Sequence, residues 1–326
     1  QILTKPNEYH FFTCFMEFEI SEVVERFKRI QDSICEFLEE TTAQKFREDP
    51  WDYEKGRGGG RTRVWEASSA EAVIEKGGVN FSAIGGDSLP QAATDAHQLA
   101  GDQSFEATGV SIVIHPNNPH IPTIHMNIRF FFTAGKWWFG GGIDLTPYYP
   151  VRDQVIFFHK HLREVCERHA QPYEKFKQIC DKYFYLPHRN EARGVGGIFF
   201  DQLNTTTSSC TATELFEFVC DLGMNFIPLY KRFLVENMNR SFTDQQREFQ
   251  LIRRARYVEF NLLWDRGTKF GIQSNGRTES ILMSMPATAI WKYNYAPPEG
   301  SEEQKVLNTY FQPAEWAEMD YSTPSE

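Results

Sequence analysis

Residues 121–132, IPTIHMNIRFFF, constrain the fold more than any other stretch, because apolar and polar side chains alternate along them. Ile124, Met126, Ile128, Phe130 and Phe132 share one parity; Thr123, His125, Asn127 and Arg129 share the other. Successive side chains of an extended strand point to opposite faces, so a strand is predicted with one face in the core and a polar row on the other. Neighbours in that row stand about 7 Å apart at strand rise. The segment 106–115 reads as a second strand, with Ser111 and His115 on its odd face. If the two strands are neighbours, Ser111, His115, His125 and Arg129 line one cavity.

Helical spacing governs much of the remainder. A helix is predicted within about 20–45, Ser21 as N-cap and Val23, Phe27, Ile30, Ile34 and Leu38 on its apolar side. Others are expected at 153–169, at 172–186 with Pro172 in the first turn, and at about 213–237 with a bend near Gly223 and Pro228. Thr243 and Gln246 have capping-box spacing for a helix ending near Arg254. Residues 54–63, EKGRGGGRTR, read as a glycine-rich basic loop, and Gly85–Gly101 as a long surface loop. The last third reads as strands: RYVEFNLLW (256–264), TKFGIQS (268–274) and RTESILMSM (277–285), joined by a turn at 265–267 and an Asn275-Gly276 hairpin turn. Strands on short turns are antiparallel, and separate helical runs make the chain α+β. With no linker composition and no repeat, one domain over 1–326 is expected.

Composition narrows the function classes. A net charge of −10 argues against a nucleic-acid partner held by a basic surface, so an anionic ligand needs a local arginine cluster. The six cysteines form no CxxC pair and read as free buried thiols of a reducing, cytoplasmic compartment. No run of about 18 apolar residues suggests a transmembrane segment. The sequence starts with Gln and shows no signal-peptide pattern, which leaves open a targeting segment removed ahead of it.

Several residues carry chemistry. His125, Asn127 and Arg129 put a proton-transfer group, an amide and a fixed cation side by side, which suits a carboxylate-bearing ligand; a solvent-washed sheet face has the same pattern. WWFGGGIDLTPYY (137–149) joins a Trp pair, three glycines and Asp144. Successive glycines permit close backbone approach, but the segment has neither phosphate-loop nor dinucleotide spacing. His115, His125, His159, His161 and His188 are enough imidazoles for a metal, without HExxH; His159 and His161 share one predicted helix. Arg189 and Arg193 precede a glycine-opened strand ending at Asp201, and Arg277 follows the Asn-Gly pair.

Taken together, GGGRTRV (58–64), HPNNPHIPTIHMNIRFF (115–131), WWFGGGIDLTPYY, DKYFYLPHRNEARGVGGIFFD (181–201) and RRARYVEFNLLWDRGTKFGIQSNGRTESILMSMP (253–286) resemble the oxygen-dependent coproporphyrinogen III oxidases. The resemblance implies a large antiparallel sheet of about seven strands flanked by helices on both faces, in a homodimer. It implies conversion of two propionates of coproporphyrinogen III to vinyls, with O2 as co-substrate and no required cofactor. His125 and Asp144 match catalytic positions. Ser111, Asn127, Ile128, Arg129, Arg193, Asn275, Gly276 and Arg277 match the substrate site. His115, His125, His159 and His188 match histidines to which a divalent-metal role attaches. In that chemistry Asp144 is expected to hydrogen-bond the pyrrole N–H groups, and His125 to relay a proton. Where relatives carry a His-x-His pair on this helix, this chain has Phe157 then His159, with an extra His161 after it. A non-haem metal oxygenase and a tetrapyrrole carrier are the competing readings.

Overall fold

A computed structural model describes residues 17–67, 69, 71–89, 103–273 and 276–321. Helix α1 (Ile20–Thr42) opens the fold and buries Val23, Phe27, Ile30, Ile34 and Leu38, as its period predicts. Its N-cap is Glu19 instead of Ser21, and no side chain caps it. Strands β1 (Arg47–Asp52), β2 (Arg57–Glu66), β3 (Ile74–Gly86), β4 (Phe105–Pro116), β5 (Thr123–Thr133), β6 (Lys136–Thr146) and β9 (Gly196–Leu203) form one seven-stranded antiparallel sheet in the order β1-β2-β3-β4-β5-β6-β9. The short strands β7 (Tyr185–Leu186) and β8 (Glu191–Ala192) pair apart from it. Residues 57–63, expected in a loop, belong to β2; the glycines there sit in a paired ladder.

Helices α2 (Arg152–Arg168) and α4 (Ala212–Asn237) match expectation, with Pro228 inside α4, while α3 (Tyr173–Tyr183) has Pro172 as its N-cap and stops short of residues 185–186, which are strand β7. One face of the sheet, including Ile112, Met126, Ile128, Phe130 and Ile143, joins α1, α2 and α4 in the main hydrophobic core. α3 lies against the β9 edge. The predicted capping box is present: Thr243 and Gln246 cap α5 (Asp244–Leu263).

The C-terminal third overturns its strand reading. α5 runs through 256–263, followed by α6 (Arg266–Gln273) and α7 (Thr278–Leu282). Ser274 and Asn275 lie outside the described residues, as does Cys14; Gly276 closes a turn by donating its N–H to Gly271 O. The misreading has a physical cause. α5 buries Arg253, Arg254, Arg256 and Asn261 beside its apolar residues, so its polar stripe is blurred and its aromatic residues mimic a strand. Each buried charge is paired: Arg253 and Arg256 with Glu191, and Arg254 with Glu75.

α5 and α7 lie over the sheet's second face. Tyr257 packs edge-on to His115, the Ser280 hydroxyl bonds Thr62, and Met283 covers Gly78, where a Cβ would stand 2.5 Å from its sulfur. α8 (Glu302–Tyr310), N-capped by Ser301, follows. Among the described residues no helix is long and apolar enough to cross a membrane. Cys35, Cys166, Cys180, Cys210 and Cys220 are free and buried, as expected.

Candidate active site

Strand register brings the polar residues of the second face into rows. Asp49, Thr62, Asn80, Ser111, Asn127 and Gly142 are successive cross-strand partners from β1 to β6. Direct partners point to one side, so this is a polar line across six strands. The next row on one side runs through Val113, His125 and Asp144; the other runs through Ser82, Gly109, Arg129 and Gly140. Ser111, His125, Asn127, Arg129 and Asp144 therefore share one face, as their parity requires. Ile128 does not. Its side chain is fully buried on the core side, so only its backbone borders the site.

The rows converge on a buried triad. His125 Nδ1 donates to Asp144 Oδ1 at 2.7 Å, and Arg193 Nη2 donates to both Asp144 oxygens at 2.9 and 2.8 Å. Arg193 also donates to Asn261 and lies among the rings of Phe184, Tyr257 and Phe260. Asp144 and Arg193 side chains are each 2% exposed. Burial alone would raise the Asp144 carboxyl, but the Arg193 guanidinium and the His125 hydrogen bond hold it below its ordinary value. An ionised Asp144 binds Nδ1–H, so neutral His125 keeps its lone pair at Nε2. The ring is 22% exposed and is the open end of the triad.

Two residues expected in the site are the most deeply buried of the group. Asp144 is covered, hydrogen-bonded by His125 and Arg193, and lies deeper than the part-exposed His125 ring. Arg193 is sealed among aromatic rings, with its guanidinium directed at Asp144 and Asn261. The half-buried arginines are elsewhere. Arg129 bonds Asn127 Oδ1 at 3.0 Å and pairs with Asp201 at 3.0 Å. Arg277, the N-cap of α7, pairs with Asp49 and bonds Ser280 at the β1 end of the polar line. Four strand spacings separate β1 from β5, about 19 Å.

The four histidines matched to a metal role do not converge. His115 Nε2 faces Ser284 O, and its Nδ1 faces Thr123 Oγ1, itself bonded to Tyr148 OH. His159 lies between Val195 O and Tyr173 OH. His188 donates to Glu259 and accepts from Trp264 Nε1. Both ring nitrogens of these three are committed, and the described residues contain no group of three or more His, Cys, Asp or Glu suited to a metal ion. The residues present do not fit a metal, which needs free ring nitrogens on a common centre.

His159 gives a measurable consequence. Burial, aided by Lys177, lowers its pKa to about 3 from an ordinary 6.5. The unfolded chain therefore binds a proton that the folded chain refuses between those values. Stability is complete above about pH 6.5 and falls by about 1.4 kcal/mol per pH unit as acid is added, down to about pH 3. A His159→Gln variant should lose that share of the slope in urea titrations between pH 6.5 and 4. An unchanged slope would assign acid sensitivity elsewhere.

A cavity of about 630 Å³ lies apart from the triad, lined by Glu66, Glu75, Lys76, Asn117, Phe242 and Arg247 among others. It holds no imidazole and two carboxylates, so the open polar face is the better place for acid–base chemistry on an anion.

Comparison with known proteins agrees with the geometry. Residues 22–316 match the family described as coproporphyrinogen III oxidase. The chain belongs to that family. It is 52% identical over 317 residues to the oxygen-dependent coproporphyrinogen-III oxidase of Dictyostelium discoideum, covering 90% of this chain and 94% of the relative. It is 45% identical over 309 residues to the enzyme of that name from Coxiella burnetii (strain RSA 331 / Henzerling II), covering 92% and 97%. Sequence reasoning missed Asp201 and Asp49 as partners of the family's arginines. The only signal for Asp201 was its odd parity with Gly197 and Phe199 along the predicted strand, and nothing in the sequence showed which strand lay beside it.

Proposed function

We propose that this chain catalyses the oxygen-dependent decarboxylation of coproporphyrinogen III to protoporphyrinogen IX in haem biosynthesis. The observation that carries this reading is the His125–Asp144–Arg193 triad, opening onto a polar line with an arginine towards each end. A macrocycle with several carboxylates matches a sheet face bearing amides, a hydroxyl and two separated cations. Each reacting side chain follows –CH2–CH2–COOH + O2 → –CH=CH2 + CO2 + H2O2. The carbon–carbon bond to the carboxyl breaks, and two electrons and two hydrogens pass to O2.

In this reading Arg129 and Arg277 hold propionates, while Ser111 and Asn127 contact the ring or its arms. His125 Nε2 exchanges a proton with the bound substrate. Asp144 fixes the tautomer and stabilises the imidazolium, and Arg193 keeps Asp144 ionised. No step is routed through a metal or an organic cofactor. Turnover lost on exhaustive chelation and restored by one divalent ion would overturn that part. The continuous seven-stranded sheet supports a single domain, and five buried free thiols support the cytoplasmic reading.

The decisive test incubates protein, coproporphyrinogen III and O2 and measures carbon dioxide. Two CO2 per ring are expected. Tight binding without CO2 release would make the protein a carrier.

A homodimer belongs to the same reading. Leu262, Leu263, Trp264 and Ile272 are exposed at the α5–α6 corner, beside an exposed Trp291 bonded to Glu259 of α5. Such a cluster suits a self-contact. Leu263→Glu with Ile272→Glu should convert a sedimenting dimer to monomer; an unchanged dimer would put the interface elsewhere.

A further inference from the structure

Three Asp–Arg pairs lie on the site face at similar separations, and their burial sorts them. Arg193–Asp144 is 2.8 Å long with both side chains 2% exposed. Arg129–Asp201 is 3.0 Å long at 36% and 28% exposure, and Arg277–Asp49 is 2.5 Å long at 28% and 39%. A sealed pair cannot be opened without stranding charges in a low-dielectric interior. Half-exposed pairs are screened and weak, so an incoming carboxylate can take the place of their acid. Both weak pairs draw their aspartate from an edge strand of the sheet: Asp49 from β1 and Asp201 from β9.

The Arg129–Asp201 pair is built by three local features. Arg129 stands on β5 and Asp201 on β9, with β6 between them. Gly140 is the β6 residue opposite Arg129, and a Cβ there would lie 2.6 Å from Arg129 Nε. A side chain at this position would push the guanidinium aside, and glycine leaves it room to lie over β6 towards β9. The β6–β9 ladder is regular to Gly141–Phe200 and then slips at Phe139–Leu203. Gln202, beside Asp201, has φ +52°, a left-handed conformation unusual for a residue with a side chain. Irregularities of this kind re-aim side chains next to ligand sites.

We infer that Asp201 is a resident stand-in for a substrate carboxylate: it holds Arg129 in place when the site is empty, yields to a propionate, and reclaims Arg129 once that propionate has become an uncharged vinyl group. Asp49 has the same relation to Arg277. The inference rests on the function proposed above and adds a selectivity device to it. Substrate binding becomes an exchange of one carboxylate for another, while a vinyl arm cannot compete with Asp201. The site thereby discriminates against a ring that has already lost carboxylates.

The test uses coproporphyrin III, the oxidised ring with the same four carboxylates, and protoporphyrin IX, with two, as fluorescent binding probes. Asp201→Asn removes the competitor and nearly preserves shape. It should tighten coproporphyrin binding about fivefold, the upper end for an exposed ion pair, and protoporphyrin binding less. It should also steepen the salt dependence, because binding then creates an ion pair instead of exchanging one. Asp49→Asn, at the other end of the polar line, should act in the same direction and provides a second variant if the first folds poorly. Weaker coproporphyrin binding in both variants would show that the aspartates only position the arginines, and unchanged binding would show that the pairs never open; either overturns the inference alone. If neither probe binds wild-type protein and coproporphyrinogen III releases no CO2, the functional reading fails and this inference fails with it; CO2 release with an unchanged KM in both variants overturns the inference alone.

Discussion

An Asp144→Asn variant is expected to lose about three to four orders of magnitude in kcat, the scale seen when the acid behind a catalytic imidazole is neutralised. Asp144 accepts Arg193 Nη2 on both oxygens and His125 Nδ1 on Oδ1. An asparagine offers one oxygen and one NH2, so in either orientation an amide N–H meets a donor. With the NH2 turned to His125 the imidazole loses the acceptor that fixes its tautomer, and with the oxygen turned to it the acceptor is neutral and no longer supports the charged ring. Lower melting is expected too, since Arg193 keeps its charge with no counter-ion, so kcat is taken on protein verified as folded by circular dichroism. Near-normal turnover in folded protein would remove Asp144 from the catalytic machinery.

Arg193→Met should cost about 3–5 kcal/mol of stability, read from urea unfolding at neutral pH. The methionine can still pack among Phe184, Tyr257 and Phe260, so the loss is chiefly that of a buried carboxylate without its cation. In the wild-type protein the Asp144 carboxyl titrates below its unfolded value. Its contribution is therefore full above about pH 4 and fades only as pH falls through the lowered folded value. Without Arg193, burial dominates and the folded carboxyl moves above its unfolded value. The penalty in the variant should then shrink as the solution is acidified and Asp144 takes up a proton. Combining Arg193→Met with Asp144→Asn should recover part of the lost stability, because no charge is left stranded. A neutral Arg193→Met, or a double variant as unstable as the sum of its parts, would mean that the pair does not act as a buried unit.

How far the site was legible from sequence follows from what each residue depends on. Strict alternation at 123–129 determined that His125, Asn127 and Arg129 share a face, because side-chain direction in a strand depends only on parity. Capping at Thr243, amphipathic spacing in α1 and free buried thiols were equally local, and the family strings added Asp144, Arg193 and Arg277 as site positions. What local pattern did not decide was who stands beside whom. Register puts Ser111 opposite Asn127 and His125 opposite Asp144, and the passage over Gly140 lets Arg129 meet Asp201. Burial separates Arg193, sealed against Asp144, from the part-exposed Arg129 and Arg277. The strand reading of 256–285 failed for the same reason. α5 is enclosed on several sides, and its buried arginines find acids far away in sequence, so the polar–apolar contrast that marks a surface helix is absent. Residue type and spacing settled the local conformation wherever one face met water and the other the core; the roles of the charged groups depended on solvent access and distant partners, which only packing in three dimensions sets.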